Sequence, residues 1–434
     1  MQMRYLNSCC VAVVLILACL PRLSSAVDFS ALTTLAEGAL VGENVDTAVP
    51  GFEIRLLQNG TTLYHQAFGD WLLDRPARVD SSTKTLAGAL MMSLAETGES
   101  GFSLDSRLSD FLNEYDTPTF RDITVRQAFS HTGGFEGQGA TSLILANKNI
   151  SLRQAAQWIS FKPLTNGPQG STFAYGGLSM QVAGAAAEVA TGKRFVDLFA
   201  NRMTTPLGMT STQFVAASQD NPRVAGGVES TATDYARFMD MLLNDGVDRA
   251  TGTRVLNADS VAEMLTRQTN DAQPIANSPT GNNRYGIGVW LDQYDQAAPA
   301  VDVLAAGARG FHSWIDDSQG LVFTFATDLT TSSNLELLSS KMHAAILQTL
   351  VPGDFNFEGE VNGDDFLLWQ RGGSPDPLSS EDLATWEANY GNPASSATQA
   401  VPEPSASVLI LGGIMAVLCA AGAVRRNVRN RFAI

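Results

Sequence analysis

Residues 81–96 read SSTKTLAGALMMSLAE, in which a serine stands three positions before a lysine and a run of small and apolar residues follows. Positions i and i+3 share one face of a helix, so Ser81 and Lys84 are expected to point into the same cleft. The apolar run predicts a buried helix, and burial favours the neutral form of a lysine amine. A serine becomes a nucleophile when a neighbouring base takes its proton, so the pair predicts nucleophilic catalysis. The alternative is a capped, solvated helix start, because S-x-x-K is a common pattern.

The rest of the chain predicts an α/β fold. Residues 50–70 hold two β-rich runs around Asn59-Gly60, a pair typical of hairpin turns. Apolar residues recur at helical spacing in 84–97, 178–190, 231–244 and 257–267. Strand patterns return in 285–292, 312–317 and 320–328, and a closing helix ends at Leu350. Both chain ends are thus expected to build one antiparallel sheet, with a helical lobe packed beside it.

Five blocks of this sequence resemble the serine β-lactamase-related family, which includes class C β-lactamases, D-Ala-D-Ala carboxypeptidases and related esterases. The blocks are SSTKTLAGALMMSLAETGESGFSLDSRLSDFL (81–112), ITVRQAFSHTGGF (123–135), GSTFAYGGLSMQVAGAAAEVATGK (170–193), PLGMTSTQF (206–214) and VAGGVESTATDYARFMDMLLNDG (224–246). The resemblance implies a β-lactamase/transpeptidase-like fold, an antiparallel sheet flanked by helices plus a helical lobe, over residues 27–350. It also implies that Ser81 is the nucleophile and Lys84 its base.

Further site residues follow from the same resemblance. The family's Y-x-N element matches YGG here, so Tyr175 is expected to help move the serine proton, while Gly177 replaces the asparagine. The family's inner strand ends in K-T-G or H-x-G, and the match here is Ala305-Ala306-Gly307, without the cation. Gly307 and Ala308 are then expected to border the oxyanion pocket, with the Ala308 N–H as one donor. Arg309 is a possible replacement cation, although a structural role is favoured.

The histidines do not indicate a zinc enzyme. His131 lies in SHTGG, which the resemblance makes a structural turn, and the other three have no ligand spacing and no H-E-x-x-H pattern. No cofactor is therefore expected for catalysis.

Residues 351–392 predict a separate small all-α module that resembles a dockerin. DFNFEGEVNGDD (354–365) has oxygen side chains at loop positions 1, 3 and 5 and a glycine at position 6, the pattern of a calcium loop. The candidate ligands of one Ca²⁺ are Asp354, Asn356, Glu358, Glu360 and Asp365. An acidic surface loop without metal is the alternative, and the implied partner of the module is a cohesin-like domain. Asp365 and Trp369 recur as Asp382 and Trp386, which indicates a weak internal repeat.

The two ends of the chain predict export. Residues 1–26 have an early arginine, an apolar run and small residues before the expected cleavage site, as in a secretory signal; lipoprotein cleavage at Cys19 is the rival interpretation. After a linker at 393–401, residues 402–434 combine Pro-Glu-Pro, an apolar run and four arginines, and resemble a PEP-CTERM sorting signal of bacterial envelope proteins. A plain tail anchor is the alternative. An envelope, surface or extracellular location is therefore expected, with anchoring through the C-terminal segment.

Composition limits the partners. The formal net charge is −16, which disfavours nucleic acid, because binding it needs clustered basic groups. The four cysteines lie at 9, 10, 19 and 419, so the region between the end segments can form no disulfide. The predicted function is an exported serine hydrolase of small ester or amide substrates. The alternatives are a penicillin-recognising D-Ala-D-Ala carboxypeptidase or β-lactamase, and a non-catalytic binding protein that keeps the fold.

Overall fold

The main sheet joins the two ends of the hydrolase region. The computed structural model describes residues 27–137, 142–294, 298–330 and 334–391. Its strands are β1 (Gly51–Gln58), β2 (Thr61–Gly69), β3 (Ala77–Arg78), β4 (Phe173–Ala174), β5 (Gln213–Phe214), β6 (Val228–Ser230), β7 (Ile275–Asn277), β8 (Trp290–Gln293), β9 (Val301–Ala306), β10 (His312–Asp316) and β11 (Leu321–Ala326). Six of them form the sheet β2-β1-β11-β10-β9-β8, in which every neighbouring pair is antiparallel. The predicted sheet from both chain ends is confirmed.

The helices cover both faces of this sheet and form the lobe beside it. They are α1 (Ser30–Leu40), α2 (Thr83–Thr97), α3 (Val125–Phe129), α4 (Ser142–Leu145), α5 (Leu152–Ile159), α6 (Leu178–Thr191), α7 (Phe195–Phe199), α8 (Ala232–Leu243), α9 (Ala258–Met264), α10 (Glu336–Leu350), α11 (Gly363–Gln370) and α12 (Ser380–Asn389). Successive side chains of a strand point to opposite faces. On β10, Ile315 belongs to the core shared with α8, whereas Trp314 donates to Ser339 of α10 across 3.2 Å.

The predicted hairpin turn is present. Asn59 and Gly60 both have positive φ, 47° and 80°, and they connect β1 to β2. Two successive left-handed residues match the right-handed twist of the flanking strands, which is why Asn-Gly is favoured at such turns.

Two local elements differ from the sequence prediction. The strand expected over 285–292 begins only at Trp290, because Gly288 has a φ of 76° that an extended strand does not allow. Helix α1 was not predicted; it packs against α10 and β2.

Helix α2 is buried on all sides. Its residues from Thr83 to Leu94 are all buried, so it runs through the core and not along its surface. Two glycines permit this position. A Cβ on Gly88 would lie 2.3 Å from the carbonyl oxygen of Ile287, and one on Gly288 would lie 2.4 Å from that of Lys84. Backbone therefore packs directly against backbone between α2 and the segment leading into β8.

Residues 351–391 form a helix pair with reciprocal tryptophan bonds. Trp369 of α11 donates its indole N–H to the carbonyl of Ser379, the N-cap of α12, across 2.9 Å. Trp386 of α12 donates to the carbonyl of Asn362, the N-cap of α11, across 2.7 Å. The two bonds are related by the 17-residue offset seen in the sequence. In each half of the repeat, the tryptophan therefore bonds to the N-cap residue of the helix in the other half.

The described residues belong to one unit, which includes 351–391. The predicted boundary at 351 stays a prediction. The expected signal at 1–26, the linker at 393–401 and the sorting segment at 402–434 lie outside the described residues. Within the described part of the chain, no helix has both the length and the apolar character needed to cross a membrane.

The glycine contact at α2 leads to a stability prediction. Alanine normally stabilises a helix interior relative to glycine by about 1 kcal/mol. Gly88→Ala should instead destabilise the protein by about 1–3 kcal/mol, because its Cβ would overlap the Ile287 carbonyl. Chemical denaturation measures this change. The matched control is Gly363→Ala in α11, where a Cβ has nothing within 4 Å; equal effects of the two variants would contradict the packing argument.

Candidate active site

Ser81 lies on a short turn at the entrance to the buried helix. The 3₁₀ turn Asp80–Ser82 precedes α2 directly. The Tyr235 hydroxyl of α8 donates to the carbonyl of Ser82 across 2.7 Å and holds the turn against the sheet side of the core. The Nζ of Lys84 is 3.1 Å from the Oγ of Ser81. The two side chains predicted from the i, i+3 spacing therefore meet.

Lys84 is enclosed and has no carboxylate partner among the described residues. It is 4% exposed, and its Nζ donates to the carbonyl of Ala225 across 2.9 Å. The same nitrogen lies 4.5 Å from the ring centroid of Tyr175. Burial lowers the pKa of Lys84 to about 7; the charge of Arg223 lowers it as well, and Asp80 acts in the opposite direction. Near neutral pH a substantial fraction of this amine is uncharged and can accept a proton.

Tyr175 completes the group around the serine. The side chains of Ser81 and Trp290 lie near enough to its hydroxyl to lower its pKa slightly, and its ring stacks on that of Trp290 with centroids 5.2 Å apart. Burial raises the pKa of Tyr175 to about 12, so the phenol keeps its proton at neutral pH. Of the two candidate bases, Lys84 is therefore the one that can be unprotonated, and Tyr175 is suited to pass a proton on.

The end of β9 lies against the turn that carries the serine. A Cβ on Gly307 would be 2.3 Å from the carbonyl oxygen of Val79, so only glycine allows this approach. Ala308 follows in the loop after β9 and lines the same cavity as Ser81. Neither the Ser81 nor the Ala308 backbone N–H donates a hydrogen bond to another described residue. Both are available as donors for a substrate oxygen, as an oxyanion pocket requires.

At positions 305 and 177, which lack the family's cation and asparagine, neighbouring side chains of the core take up the space. Ala305 is 1% exposed and packs in the core, while its neighbour Ala306 faces the cavity. A Cβ on Gly177 would lie 2.9 Å from Cδ1 of Leu145, so a side chain there would have to displace that leucine. Arg309 is paired with Asp80 and Asp328, at 3.4 Å and 3.2 Å, and so has the favoured structural role.

A cavity of about 480 Å³ opens in front of Ser81. The residues that line it share an aromatic, apolar or uncharged polar character, apart from one acid: Ser81, Tyr175, Pro279, Thr280, Trp290, Tyr294, Leu304, Ala306, Gly307, Ala308, Gly310, His312, Asn334, Leu335 and Glu336. Neither lysine nor arginine lines it among the described residues. Burial lowers the pKa of His312 to about 4, so this histidine is neutral too. The described part of the cavity lining therefore offers no positive side chain to hold a substrate carboxylate.

His131 is beside the site but makes no contact suited to a base. Its ring lies 4.7 Å from that of Tyr175, and neither ring nitrogen has a hydrogen-bond partner among the described residues. Burial and the nearby Lys84 hold the pKa of His131 well below its usual value. Its backbone has a φ of 59°, in agreement with the turn expected from SHTGG.

Sequence reasoning did not find Trp290 or Ala225. Trp290 supports Tyr175 from the start of β8, and Ala225 contributes only a carbonyl, which no side-chain pattern reports. The signal for Trp290 was a large aromatic residue that follows the two glycines Gly286 and Gly288. That signal does not specify a neighbour more than 100 residues away.

The acidic loop of the predicted calcium site is folded around two buried carboxylates. Asp354 accepts hydrogen bonds from the N–H groups of Glu358 and Gly359, at 3.1 Å and 2.7 Å. Asp365 accepts from the N–H of Asn356 at 3.1 Å. Burial raises the pKa of Asp354, and the nearby charge of Asp365 raises it too. Two facing acids and an all-oxygen donor set fit a hard cation such as Ca²⁺.

The four candidate acids of this loop do not form a cluster of three ligand atoms within 4.8 Å of one another. Among the described residues, the acid and histidine side chains with ligand atoms all within 4.8 Å of one another are Glu53, His65 and Asp74, a different group. There His65 Nε2 lies 2.5 Å from Glu53, while Arg55 donates to Nδ1 across 3.0 Å. Both ring nitrogens are therefore engaged without a metal. The calcium site at 354–365 stays a prediction.

Comparison with known proteins agrees with this geometry. The family profile described as Beta-lactamase matches residues 36–341. Penicillin-binding protein 4 of Amycolatopsis lactamdurans is 28% identical over 219 residues, which cover 42% of this chain and 55% of that protein. The chain thus matches about half the length of this relative.

Two further similarities extend over more of the chain. The D-alanyl-D-alanine-carboxypeptidase/endopeptidase AmpH of Escherichia coli K12 is 24% identical over 271 residues, 56% of this chain and 68% of AmpH. The crystal structure of a candidate beta-lactamase from Bacteroides dorei superposes with a TM-score of 0.62 at 26% identity, covering 73% of this chain and 98% of the other.

The pKa of Lys84 leads to a prediction for the reactivity of Ser81. Modification of Ser81 by a fluorophosphonate should rise about tenfold between pH 6 and pH 8, because the unprotonated fraction of a base with a pKa near 7 rises by that factor. Intact-mass spectrometry at timed intervals measures the rate. A rate that stays constant over this interval would exclude Lys84 as the base.

Proposed function

Because the chain belongs to the beta-lactamase family of serine hydrolases, we propose that it cleaves ester or amide bonds of small acyl substrates through an acyl-enzyme on Ser81. The observation that carries this proposal is the 3.1 Å contact between Ser81 Oγ and a buried lysine whose pKa is about 7. A nucleophile within reach of an unprotonated base is the arrangement that acyl transfer requires.

The reaction follows from the positions of the side chains. Unprotonated Lys84 takes the proton of Ser81 while Oγ bonds to the substrate carbonyl carbon, and the carbonyl oxygen becomes an oxyanion held by the N–H groups of Ser81 and Ala308. The oxyanion collapses, the bond to the leaving group breaks, and the proton passes from Lys84 to the leaving group with the Tyr175 hydroxyl as relay. Water then attacks the acyl-enzyme, giving its proton to Lys84. The acid is released and Ser81 recovers its proton.

The cavity favours uncharged acyl groups. Its described lining is aromatic, apolar or uncharged polar apart from Glu336, and it carries no lysine or arginine. Carboxylates are usually held by cationic or strongly polar groups, and a buried charge without such a partner costs several kcal/mol (about 2–5). A penicillin or a peptide ending in a carboxylate should therefore be a poorer substrate than a neutral ester.

A carboxypeptidase or β-lactamase is the second candidate. It is favoured by the relatives, since Penicillin-binding protein 4 and AmpH are named for such substrates. A binding protein that keeps the fold without catalysis is the third, and it requires that Ser81 never becomes acylated.

The first test is the loss of hydrolysis in Ser81→Ala. Turnover of a p-nitrophenyl ester should fall by a factor of about 10³ or more, and Lys84→Ala should lose a comparable amount, because members of a catalytic unit are not additive. Ser160→Ala is the matched control, since Ser160 only ends α5 and donates to the carbonyl of Gln157.

Intact mass after exposure to a fluorophosphonate, a neutral ester and a penicillin separates the three candidates. An adduct from the ester that turns over, with a slow or absent penicillin adduct, supports the esterase. Faster acylation by penicillin than by the ester supports the second candidate. No adduct from any reagent supports the binding protein.

For residues 351–392 we propose a dockerin-like module that binds one Ca²⁺ through the loop 354–365 and docks on a cohesin-like partner. For the whole protein we propose export to the cell envelope, with residues 402–434 as a sorting anchor. The support is the oxygen-rich loop with its two buried acids, the signal-like residues 1–26, and the Pro-Glu-Pro segment with its apolar run and arginines.

Calcium should stabilise residues 354–391 without changing the chemistry at Ser81. Binding to the folded form alone adds about 2.7 kcal/mol at a hundredfold excess over Kd. Hydrogen exchange of the full chain, followed by mass spectrometry, should show stronger protection of this segment in calcium than in chelator. The response should be lost in Asp354→Asn, and ester hydrolysis should be equal in both conditions. If calcium does not change the protection of this segment, the alternative of an acidic loop that binds no metal is correct.

A further inference from the structure

The two residues that offer backbone N–H groups to a substrate oxygen lie on separate segments of the chain. Ser81 is on the 3₁₀ turn before α2, and Ala308 follows much later, in the loop between β9 and β10. The two N–H groups can bind the same oxyanion only if the turn and the loop keep a fixed separation. The contacts that join these two segments therefore determine the shape of the oxyanion pocket.

One contact between the segments is made by backbone. A Cβ on Gly307 would be 2.3 Å from the carbonyl oxygen of Val79 and 3.3 Å from the Cβ of Asp80, so the end of β9 touches the residues that lead into Ser81. Repulsion between these packed atoms stops the segments from approaching further. A glycine has no side chain that could hold them together by dispersion, so a separate attraction is needed to stop them from moving apart.

An ion pair supplies this attraction. Nε of Arg309, the residue after Ala308, is 3.4 Å from Oδ2 of Asp80, the residue before Ser81. Each oxyanion donor is therefore the direct neighbour, along the chain, of one member of the same ion pair. The two charged side chains are mostly shielded from solvent, with exposed fractions of 29% for Arg309 and 21% for Asp80.

A second acid, Asp328, connects the same arginine to the strand before the serine turn. Its Oδ1 accepts a hydrogen bond from Nη1 of Arg309 across 3.2 Å, and its two oxygens accept from Nε and Nη2 of Arg78 across 3.0 Å. Arg78 ends β3, directly before Val79 and the turn. We call this network of four side chains the oxyanion clamp: Arg78, Asp80, Arg309 and Asp328.

The loop that carries Ala308 also has hydrogen bonds of its own. The N–H of Gly307 donates to the carbonyl of Phe311 across 2.8 Å, and the N–H of Gly310 donates to the carbonyl of Gly307 across 3.1 Å. Nδ1 of His312 donates to the carbonyl of Gly310 across 2.8 Å. Because these bonds do not involve the clamp, loss of the clamp should displace the loop and leave it folded.

We propose that Arg309 is a positioning residue of the hydrolase, which sets the separation of the Ser81 and Ala308 N–H groups through its ion pairs with Asp80 and Asp328. The proposal rests on the hydrolase function proposed above. Arg309 is not among the described residues that line the cavity, so it acts on the oxyanion through the backbone beside it and not by direct contact. Its effect should be larger in the transition state, where the carbonyl oxygen carries charge, than in the bound substrate.

The variants for the test leave Asp80 in place. Asp80 also faces the charge of Arg223, and its own charge acts on Lys84, so its removal would change the base together with the clamp. Arg309→Gln removes the shared cation of the clamp, and Asp328→Asn removes the acid that joins it to Arg78. The second variant keeps the test valid if the first does not fold.

The test compares a p-nitrophenyl ester with the thionoester in which sulfur replaces the carbonyl oxygen. Sulfur is the weaker hydrogen-bond acceptor, so well-placed oxyanion donors favour the ester. Acylation of Ser81 is followed on the full chain by intact mass. In Arg309→Gln, ester acylation should fall by about tenfold or more, because one oxyanion donor contributes about 10²–10³ to the rate and the variant displaces it without removing it. Thionoester acylation should fall less, so the ratio of the two rates should decrease.

Steady-state kinetics on the neutral ester give a second readout. The variant should lower kcat and kcat/KM by the same factor, as expected for an interaction made in the transition state alone. This readout decides the question if the thionoester adduct forms too slowly to be detected. Arg121→Gln, which removes an exposed arginine paired with Asp116, is the matched control and should change neither the ratio nor kcat.

Three outcomes would contradict the proposal. An unchanged ester-to-thionoester ratio in both variants overturns the role of Arg309 even if the rates fall, because a general loss of structure slows both substrates equally. A loss of kcat/KM that arises from KM alone overturns it as well, and in both cases the hydrolase stands. Absence of any ester adduct on Ser81 in the unaltered protein overturns the proposed function and this inference with it.

Discussion

A single amine enclosed in the core, Lys84, is the constraint on which the site depends. Its nitrogen has one carbonyl acceptor and one serine hydroxyl, and no carboxylate among the described residues. An ammonium in such surroundings would lose most of its hydration without an ion pair in exchange, so the neutral amine is the form that the fold favours. Burial therefore leaves a fraction of this amine unprotonated near neutral pH, where it can accept the proton of Ser81.

The glycine contacts around α2 explain how water is excluded from the amine of Lys84. Gly88 and Gly288 allow the segment before β8 to touch the helix backbone, and Gly307 allows β9 to touch the residue before the serine turn. Larger residues at these three positions would open gaps through which water could reach Lys84. Ser81 and Ala308 line one cavity, and their backbone N–H groups have no partner among the described residues. Burial of the base and exposure of the oxyanion donors therefore result from one arrangement of backbones.

The sequence predicted those features that neighbouring residues determine. The Asn59-Gly60 turn depends on two local dihedral angles, and the burial of α2 depends on the composition of one segment. Ser81 and Lys84 are one helical turn apart, so their contact also follows from local geometry.

Features that depend on contacts between segments far apart in the sequence could not be predicted in this way. Gly288, whose positive φ delays the start of β8, packs against the backbone of α2, and the carbonyl of Ala225 reaches Lys84 from 141 residues away along the chain. Helix α1 was missed because it is stabilised by packing on α10, and a contact between such distant segments leaves no local sequence pattern. The resemblance to a known family located Tyr175 and Gly307, which spacing alone would not have connected to the serine.

The antiparallel pairing of β1 with β11 has a consequence for when the protein can act. The nucleophile, base and tyrosine have all been synthesised by residue 175, but the strand that holds β1 in the sheet is completed only at Ala326. Contacts of such long sequence separation form late in folding. A chain still on the ribosome therefore carries Ser81, Lys84 and Tyr175 before the sheet beside them is complete. The order of the strands therefore means that the sheet beside the site can be completed only after β11 has been synthesised.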